Sequence, residues 1–541
     1  MEQIRIKNLR SLKDTGYIDI KPLTILVGKN SSGKSTLLRF FPLMKQTLSI
    51  KKNEPILWYS KNYVDFGSFE ESINKDNKDK PMEFDFKFTI EDEEIDIILK
   101  ITLKSKSLTK IKIEFLNQTI LFEEEEGKTY RLLINNQLFK SNYKILKSET
   151  FESLIPRFFA DYENAEELSF RRRIGFTEHF QSYLYEYLIK DESKKDDEEF
   201  QSKMRNDIYK ITNELNTSKL HLLSNNDVSF LDEIENDIKI HYLDIFWEEF
   251  NEEHNPKGKI IKKRNSIENK AIEKLKEQYL KDHDKVNNLL LGFYIDRIID
   301  RCNEYINSYF SNVHYIAPLR ASAQRYYRLQ GLAVNEIDPQ GENIPMVIHN
   351  LNSTEKKQFK RWMQRSFGFE INTQFDSGHV TLNISFNSSE NLNLADTGFG
   401  FSQILPILLL LWRVEEGMVP IKWENMYNMH NIVIEQPELH LHPALQAKLT
   451  DALVKCIAKA SSSQIPHLNI ILETHSETII NRVGQLIYDD KINRENVNVI
   501  IFGELEKGEK NPTNSCIKSV KFNEEGIIED WPLGFFYPEV L

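Results

Sequence analysis

The sequence predicts an α/β fold: a mixed sheet carrying a phosphate-binding loop, an antiparallel β lobe beside it, and a mainly helical insertion that interrupts the two. Three observations predict it. A G-x-x-x-x-G-K-[ST] pattern stands between an apolar run and a helix-like segment near the start of the chain. A series of period-2 runs follows it. Strand-then-helix alternation then returns after residue 313, beyond a long stretch of charged, helix-forming sequence.

Residues 4–9, IRIKNL, alternate apolar and polar, as do residues 17–20, so the chain opens on two strands. Residues 22–38 read PLTILVGKNSSGKSTLL. The apolar run at 23–27 is a buried strand, and it leads without a gap into Gly28, Lys29, Asn30, Ser31, Ser32, Gly33, Lys34 and Ser35, with Thr36 opening a helix. Gly28 and Gly33 let the backbone curl so that its N–H groups face a phosphate. The helix N-terminus adds partial positive charge, Lys34 reaches the terminal phosphates, and the Ser35 hydroxyl ligates Mg²⁺. The expected ligands are therefore the phosphates of a nucleotide and Mg²⁺.

From residue 82 to about 140, runs such as FDFKFTI, IDIILKITL and IKIEFL alternate with acidic or Asn/Gly turns, a meander with one solvated face. Residues 62–72, NYVDFGSFEES, precede it as an ordered loop. Residues 151–312 are charged and poor in glycine, and FQSYLYEYLIK and NNLLLGFYIDRIIDRCNEYI place apolar residues at helical spacing. No sustained heptads occur, which argues against a coiled-coil arm. The charge-dense stretch 190–205 is an exposed helix or a loop. The basic runs Arg171, Arg172, Arg173 and 257–264 (KGKIIKKR) are solvated loops or nucleic-acid contacts. The expected organisation is a nucleotide-binding domain split into residues 1–150 and 313–500, an insertion at 151–312, and a tail subdomain at 501–541.

Composition narrows the classes. A chain of 541 residues implies roughly two to four domains. A net charge of −12 argues against a protein that coats nucleic acid. Cys302, Cys456 and Cys516 form no C-x-x-C, which excludes a zinc ribbon and suits a reducing compartment. The opening residues lack the apolar core of a signal peptide, and the most apolar run, 404–412, is too short to span a bilayer. A cytoplasmic location without membrane contact is expected.

Four further stretches carry chemistry. In 431–438, NIVIEQPE, a buried strand ends in acids, the place where Glu435 would complete Mg²⁺ coordination. Gln436 follows it, able to orient a water but unable to take its proton, and Glu438 stands two residues on as a substitute base. His440 and His442 invite a metal reading, but no third ligand is spaced nearby, so a loop leading into a helix at 444–458 is expected. Residues 468–476, LNIILETHS, are another buried strand, and His475 at its end can reach a γ-phosphate or an attacking water. Ser476 would cap the helix that carries Arg482. In 396–403, DTGFGFSQ, Gly398, Gly400 and Ser402 precede an apolar helix and form a second anion-binding N-terminus, which suits the nucleotide of a second subunit.

Together these stretches resemble the ATP-binding-cassette-type ATPases related to the overcoming-lysogenization-defect proteins, and more distantly the structural-maintenance-of-chromosomes and recombination-repair ATPases. The resemblance covers residues 1–120 and 313–541. It makes Lys34 and Ser35 the Walker A residues and Glu435 the Walker B acid. Gln436 falls at the position of the catalytic glutamate, Ser402 with Gly398 and Gly400 is the signature acting in trans, and His475 is the switch histidine. The loop at 65–69 lies where a Q-loop senses nucleotide, although it holds no Gln. HYIAPLRASAQRYY and GIIEDWPLGFFYPE resemble a bacterial subgroup whose tail is a domain of unknown function. Larger relatives carry a metal-dependent toprim nuclease domain; the residues after Val499 are too few for one.

The resemblance thus implies a head-to-tail homodimer, or a higher oligomer, with ATP and Mg²⁺ between each P-loop and the partner's signature. It further implies an effector protein, a nuclease or toxin, and a role in defence against phage or plasmids. Two other readings stay open: a repair or chromosome-maintenance ATPase that binds DNA directly, and a non-hydrolysing scaffold that uses ATP as a structural ligand.

Overall fold

The computed structural model describes residues 1–91, 94–125, 129–145, 151, 153–156, 158–160, 283–328, 336–386, 391–418, 429–462, 467–503, 517–528 and 531. The basic runs at 171–173 and 257–264, the stretch 190–205, Cys516 and most of the expected insertion lie outside them.

The chain opens with β1 (Gln3–Leu9), β2 (Leu12–Asp14) and β3 (Ile18–Asp19), then β4 (Leu23–Gly28), which feeds α1 (Lys34–Ser49). After the short helix α2 (Phe69–Ser72) come β5 (Met82–Ile90), β6 (Ile95–Lys104), β7 (Ser107–Phe115), β8 (Gln118–Glu124), β9 (Thr129–Ile134), β10 (Gln137–Ile145) and β11 (Phe158–Ala160). Strands β5 to β10 form the expected meander, each antiparallel to the next; β1 joins its near edge, and β11, from the stretch read as a mainly helical insertion, extends its far edge. The loop before β5 is ordered as expected: Ser68 and Glu71 close a reciprocal capping box on α2.

The α3 helix (His283–Ser311) precedes β12 (Val313–Ile316). A small antiparallel sheet follows, built on β13 (Tyr327–Arg328), β14 (Phe369–Asp376), β15 (His379–Phe386) and β16 (Leu392–Asn393). Between its strands lie α4 (Ile344–Asn350) and α5 (Ser353–Phe367). The α5 bounds follow from its ends: Asn352 and Glu355 form a capping box, and Gly368 stops the helix in the left-handed region. The rest runs α6 (Phe399–Glu415), β17 (His430–Glu435), α7 (Pro443–Ser462), β18 (Leu468–Glu473), α8 (Glu477–Tyr488), β19 (Val497–Phe502) and β20 (Ile517–Val520).

The central sheet has the order β12-β17-β18-β4-β19-β20, parallel except for β20. Its parallel strands are buried along nearly their whole length because both faces are covered, whereas the edge strand β20 is partly exposed. Leu26, Val433 and Ile471 turn to one side, where Phe40, Phe41, Phe84, Phe86 and Phe310 pack α1 and α3 against the β lobe. Leu23, Ile25, Ile432 and Ile434 turn to the other, where Trp412, Leu408 and Leu449 of α6 and α7 cover them. β4, near the start of the chain, lies between β18 and β19, which come near its end. The two ends of the sequence therefore build one sheet, and its parallel strands bring their C-terminal ends to one edge. This is the α/β P-loop fold with an antiparallel lobe that the sequence predicts.

Candidate nucleotide site

The loop between β4 and α1 turns on unusual backbone. Gly28, Ser31 and Gly33 have φ of 148°, 63° and 108°. At Gly28 a side chain is impossible: a Cβ would lie 2.2 Å from the carbonyl oxygen of Phe502 on β19. The loop is closed by its own groups. Ser32 Oγ donates to the Lys29 carbonyl at 2.7 Å, and Lys34 Nζ donates to the carbonyls of Gly28 (3.0 Å) and Lys29 (2.7 Å). Burial lowers the Lys34 pKa, with Glu473 opposing that shift. Lys29, Asn30 and Ser31 stand exposed at the rim, while Ser35 and Thr36 enter the first turn of α1.

Three acids converge at the edge of the sheet. Glu435 and Glu473 end neighbouring parallel strands and are register partners, and Glu473 pairs in turn with Leu26 of β4. Glu435 is 2% exposed, and its partners are already in place. Arg39, one turn past Ser35 on α1, donates from Nε to Oε1 at 2.7 Å and from Nη2 to Oε2 at 2.8 Å. The Tyr315 hydroxyl donates to Oε1 at 2.6 Å. The Glu435 carboxylate holds the Arg39 pKa up, and burial raises that of the Tyr315 hydroxyl. Oε2 keeps one accepting position, by lone-pair count.

Gln436 sits at φ 44°, a strained setting for a residue with a side chain, and its N–H donates to the Glu473 carbonyl at 2.9 Å. Arg320 fixes this turn from behind, with Nη2 donating to the Glu435 carbonyl at 2.8 Å. Burial brings the Arg320 pKa down to about 10.

Glu438 accepts from Thr474 Oγ1 at 2.9 Å and from the His475 N–H at 2.7 Å, so it clamps the turn after β17 to the turn after β18. Burial raises its pKa. The His475 ring is exposed, and burial of its inner side and the Lys34 charge both hold its pKa below the ordinary value. Ser476 caps α8 as expected, accepting from the Ile479 N–H at 3.1 Å. His442 accepts from the Ala444 N–H at 3.2 Å and serves as the lead into α7. Among the described residues no group of His, Cys, Asp and Glu is arranged to hold a metal by itself.

Gly398, Gly400 and Ser402 stand at the start of α6. Ser402 Oγ donates to the Phe399 carbonyl at 2.8 Å. Gly400 packs on the turn after β17, where a Cβ would meet the His440 carbonyl at 2.5 Å. The structure thus gathers Lys34, Ser35, Glu435, Gln436, Glu438 and His475 at one strand edge and sets the three signature candidates at the start of α6, against the turn after β17.

Arg39, Tyr315, Arg320 and Glu473 complete the site without having been singled out in the sequence. Glu473 carried a readable signal, an acid ending an apolar strand as Glu435 does. Arg39 stands four residues after Ser35, one helical turn on. Tyr315 and Arg320 had no comparable local signal, since their roles depend on β12 lying beside β17.

The residues present fit a phosphate tail and a hard divalent cation: a curled Gly/Ser loop, a lysine, a serine hydroxyl and buried carboxylates. The chain is similar in structure to three Smc head domains. One, from Pyrococcus furiosus, carries an extended coiled coil and is bound to the C-terminal domain of ScpA; it shares 10% identity over 96% of each chain, with a TM-score of 0.33. The second, with a coiled coil and joint, is from Pyrococcus yayanosii, at 13% identity over 97% of each chain and a TM-score of 0.34. The third, from Thermotoga maritima, has 9% identity over 96% of this chain and 97% of that one, with a TM-score of 0.32. Among curated proteins none matches. The family model described as an AAA ATPase domain matches residues 1–480, and with the P-loop in place at the end of β4 the chain belongs to that ATPase family.

Proposed function

We propose that this protein is an ATP- and Mg²⁺-dependent ATPase of the ATP-binding-cassette type that dimerises head-to-tail around its nucleotide and regulates an effector protein. The observation that carries this reading is the convergence of Lys34, Ser35, Glu435 and His475 at one edge of a sheet built from both ends of the chain. In it, the backbone N–H groups of residues 28–36 and Lys34 bind the phosphates, and Ser35 and Glu435 hold Mg²⁺, which neutralises charge on the phosphates. Gln436 orients the attacking water, with Glu438 and His475 beside it. Gly398, Gly400 and Ser402 contact the nucleotide of a second copy.

The same reading makes residues 1–150 and 313–500 one ATPase domain, with 151–312 inserted and 501–541 as a tail subdomain; the seating of β4 between β18 and β19 supports it. No helix among the described residues is long and apolar enough to cross a membrane. We place the protein in the cytoplasm, in defence against phage or plasmids, with a nuclease or toxin as the effector. The sequence resemblance supports that assignment. Lys34→Ala tests the core of the reading: it abolishes nucleotide binding and turnover, and intact turnover refutes it. Ser402→Ala lowers nucleotide-driven dimerisation in sedimentation, and an unchanged dimer counts against the trans signature.

A second reading has its own observation. Gln436 cannot accept a proton, and both oxygens of Glu438 are engaged by Thr474 and His475. A scaffold that binds ATP without cleaving it fits those facts. Single-turnover hydrolysis separates the two, since a scaffold releases no phosphate. Salt-dependent duplex binding by the purified protein would instead favour direct action on DNA.

A further inference from the structure

We propose that Glu473 is a positioning residue for the metal: it accepts the Ser35 hydroxyl proton, and its second oxygen takes a water of the cation's shell. The inference rests on the reading of residues 28–35 as an Mg²⁺-nucleotide site.

The three acids of this edge, Glu435 and Glu473 buried and Glu438 half-buried, differ in what they have left to offer. Each Glu435 oxygen already accepts from Arg39 or Tyr315, with one position left on Oε2, and each Glu438 oxygen accepts from Thr474 or the His475 N–H. Glu473 has a side chain only 3% exposed, yet its Oε2 is buried with no hydrogen-bond partner. Buried carboxylate oxygens are rarely left so, because the lost solvation is not replaced. The nearest cation, Lys34 Nζ, stands 3.9 Å from Oε1, beyond hydrogen-bond length, and already donates to two loop carbonyls. The Ser35 hydroxyl lies close enough to this carboxylate to oppose, as a donor, the rise that burial imposes on its pKa.

A serine hydroxyl has one proton and two lone pairs. When its oxygen ligates a cation, the proton must point away and needs an acceptor, and Glu473 is placed to be that acceptor. Such outer partners fix a ligand's orientation and raise its basicity. Water bound to Mg²⁺ aims its lone pair at the ion and its hydrogens outward, so it too needs an acceptor, and Oε2 is the free one. Glutamine in this position would keep one carbonyl oxygen and replace the other acceptor by a donor. It can serve Ser35 or the water, but not both.

The test is a titration of a fluorescent ATP analogue onto the full chain, in EDTA and across a range of Mg²⁺ concentrations, for wild type, Glu473→Gln, Ser35→Ala and the double variant. Glu473→Gln is expected to keep its affinity in EDTA within about twofold and to need about 10-fold or more Mg²⁺ for the metal-dependent step. Ser35→Ala is expected to shift the same midpoint, with the double variant no worse than the poorer single. An Mg²⁺ midpoint equal to wild type in Glu473→Gln overturns the inference. So does an equal loss of affinity with and without Mg²⁺, which marks a merely structural support of Lys34. If Glu473→Gln does not fold, Glu473→Asp, which keeps the charge but withdraws it by one methylene, is judged by the same midpoint criterion. Wild type that binds no nucleotide overturns the underlying reading and this inference together, whereas a normal wild-type titration with an unshifted variant overturns the inference alone.

Discussion

Arg39→Ala should cost this protein more than an ordinary surface ion pair. The substitution removes two guanidinium bonds of 2.7 and 2.8 Å from Glu435. Glu435 is 2% exposed, so water cannot take their place, and only the Tyr315 hydroxyl remains on the carboxylate. Breaking a buried pair from one side costs about 3–5 kcal/mol. The Arg39 side chain is 35% exposed, however, so its end of the pair is partly screened. The expected loss is therefore about 2–3 kcal/mol, between the buried and surface limits.

The assay is a double-mutant cycle with Glu435→Gln, read by thermal and urea unfolding. Removing the charge as well as its partner should recover most of the loss, so the double variant is more stable than Arg39→Ala alone. Because a guanidinium and a divalent cation compete for the same carboxylate, Arg39→Ala should also gain more thermal stabilisation from Mg²⁺ and ATP than wild type does. A single variant within about 0.5 kcal/mol of wild type, or an additive cycle, would refute the claim that Arg39 is what satisfies the buried acid.

Three further outcomes are expected. Gly28→Ala forces a Cβ to 2.2 Å from the Phe502 carbonyl at a φ of 148°, so it should destabilise the fold by at least about 2 kcal/mol and lose nucleotide binding, checked by melting and by titration. Gly484→Ala sets a Cβ 2.2 Å from the Gly526 carbonyl, and should speed hydrogen exchange at residues 517–528 while leaving nucleotide affinity unchanged. Half-buried His314, whose Nε2 is buried without a hydrogen-bond partner, and buried His430 both have pKa values held below 6.5 by desolvation. The unfolded chain takes up their protons first, so their stability contribution is complete above about pH 6.5 and is lost as pH falls below it. Between pH 7 and 5.5 His314 alone should account for about 1 kcal/mol, with His430 adding in the same direction. His314→Phe that unfolds with the same acid limb as wild type would rule this out.

Local sequence determined the parts whose physics is local. Residues 23–36 specify strand, loop and helix because the turn needs glycine where φ is positive, as Gly28 and Gly33 show. Asn352 with Glu355 set the start of α5, and Gly368 its end, through bonds spanning a few residues. The alternation in β5 to β7 fixed which side chains face the core because a strand has a period of two.

Tertiary structure decided the rest. Gly400 reads in sequence as part of an anion-binding turn, yet it also packs against His440, forty residues away along the chain. Glu438 reads as a spare base, and the seating of β18 beside β17 turns it into a clamp on Thr474 and His475. Arg39 and Tyr315 on Glu435, and the open oxygen of Glu473, follow from the order in which β12, β17, β18 and β4 lie side by side. That order brings together residues separated by hundreds of positions, and whether a buried carboxylate is satisfied depends on those neighbours and not on its own segment.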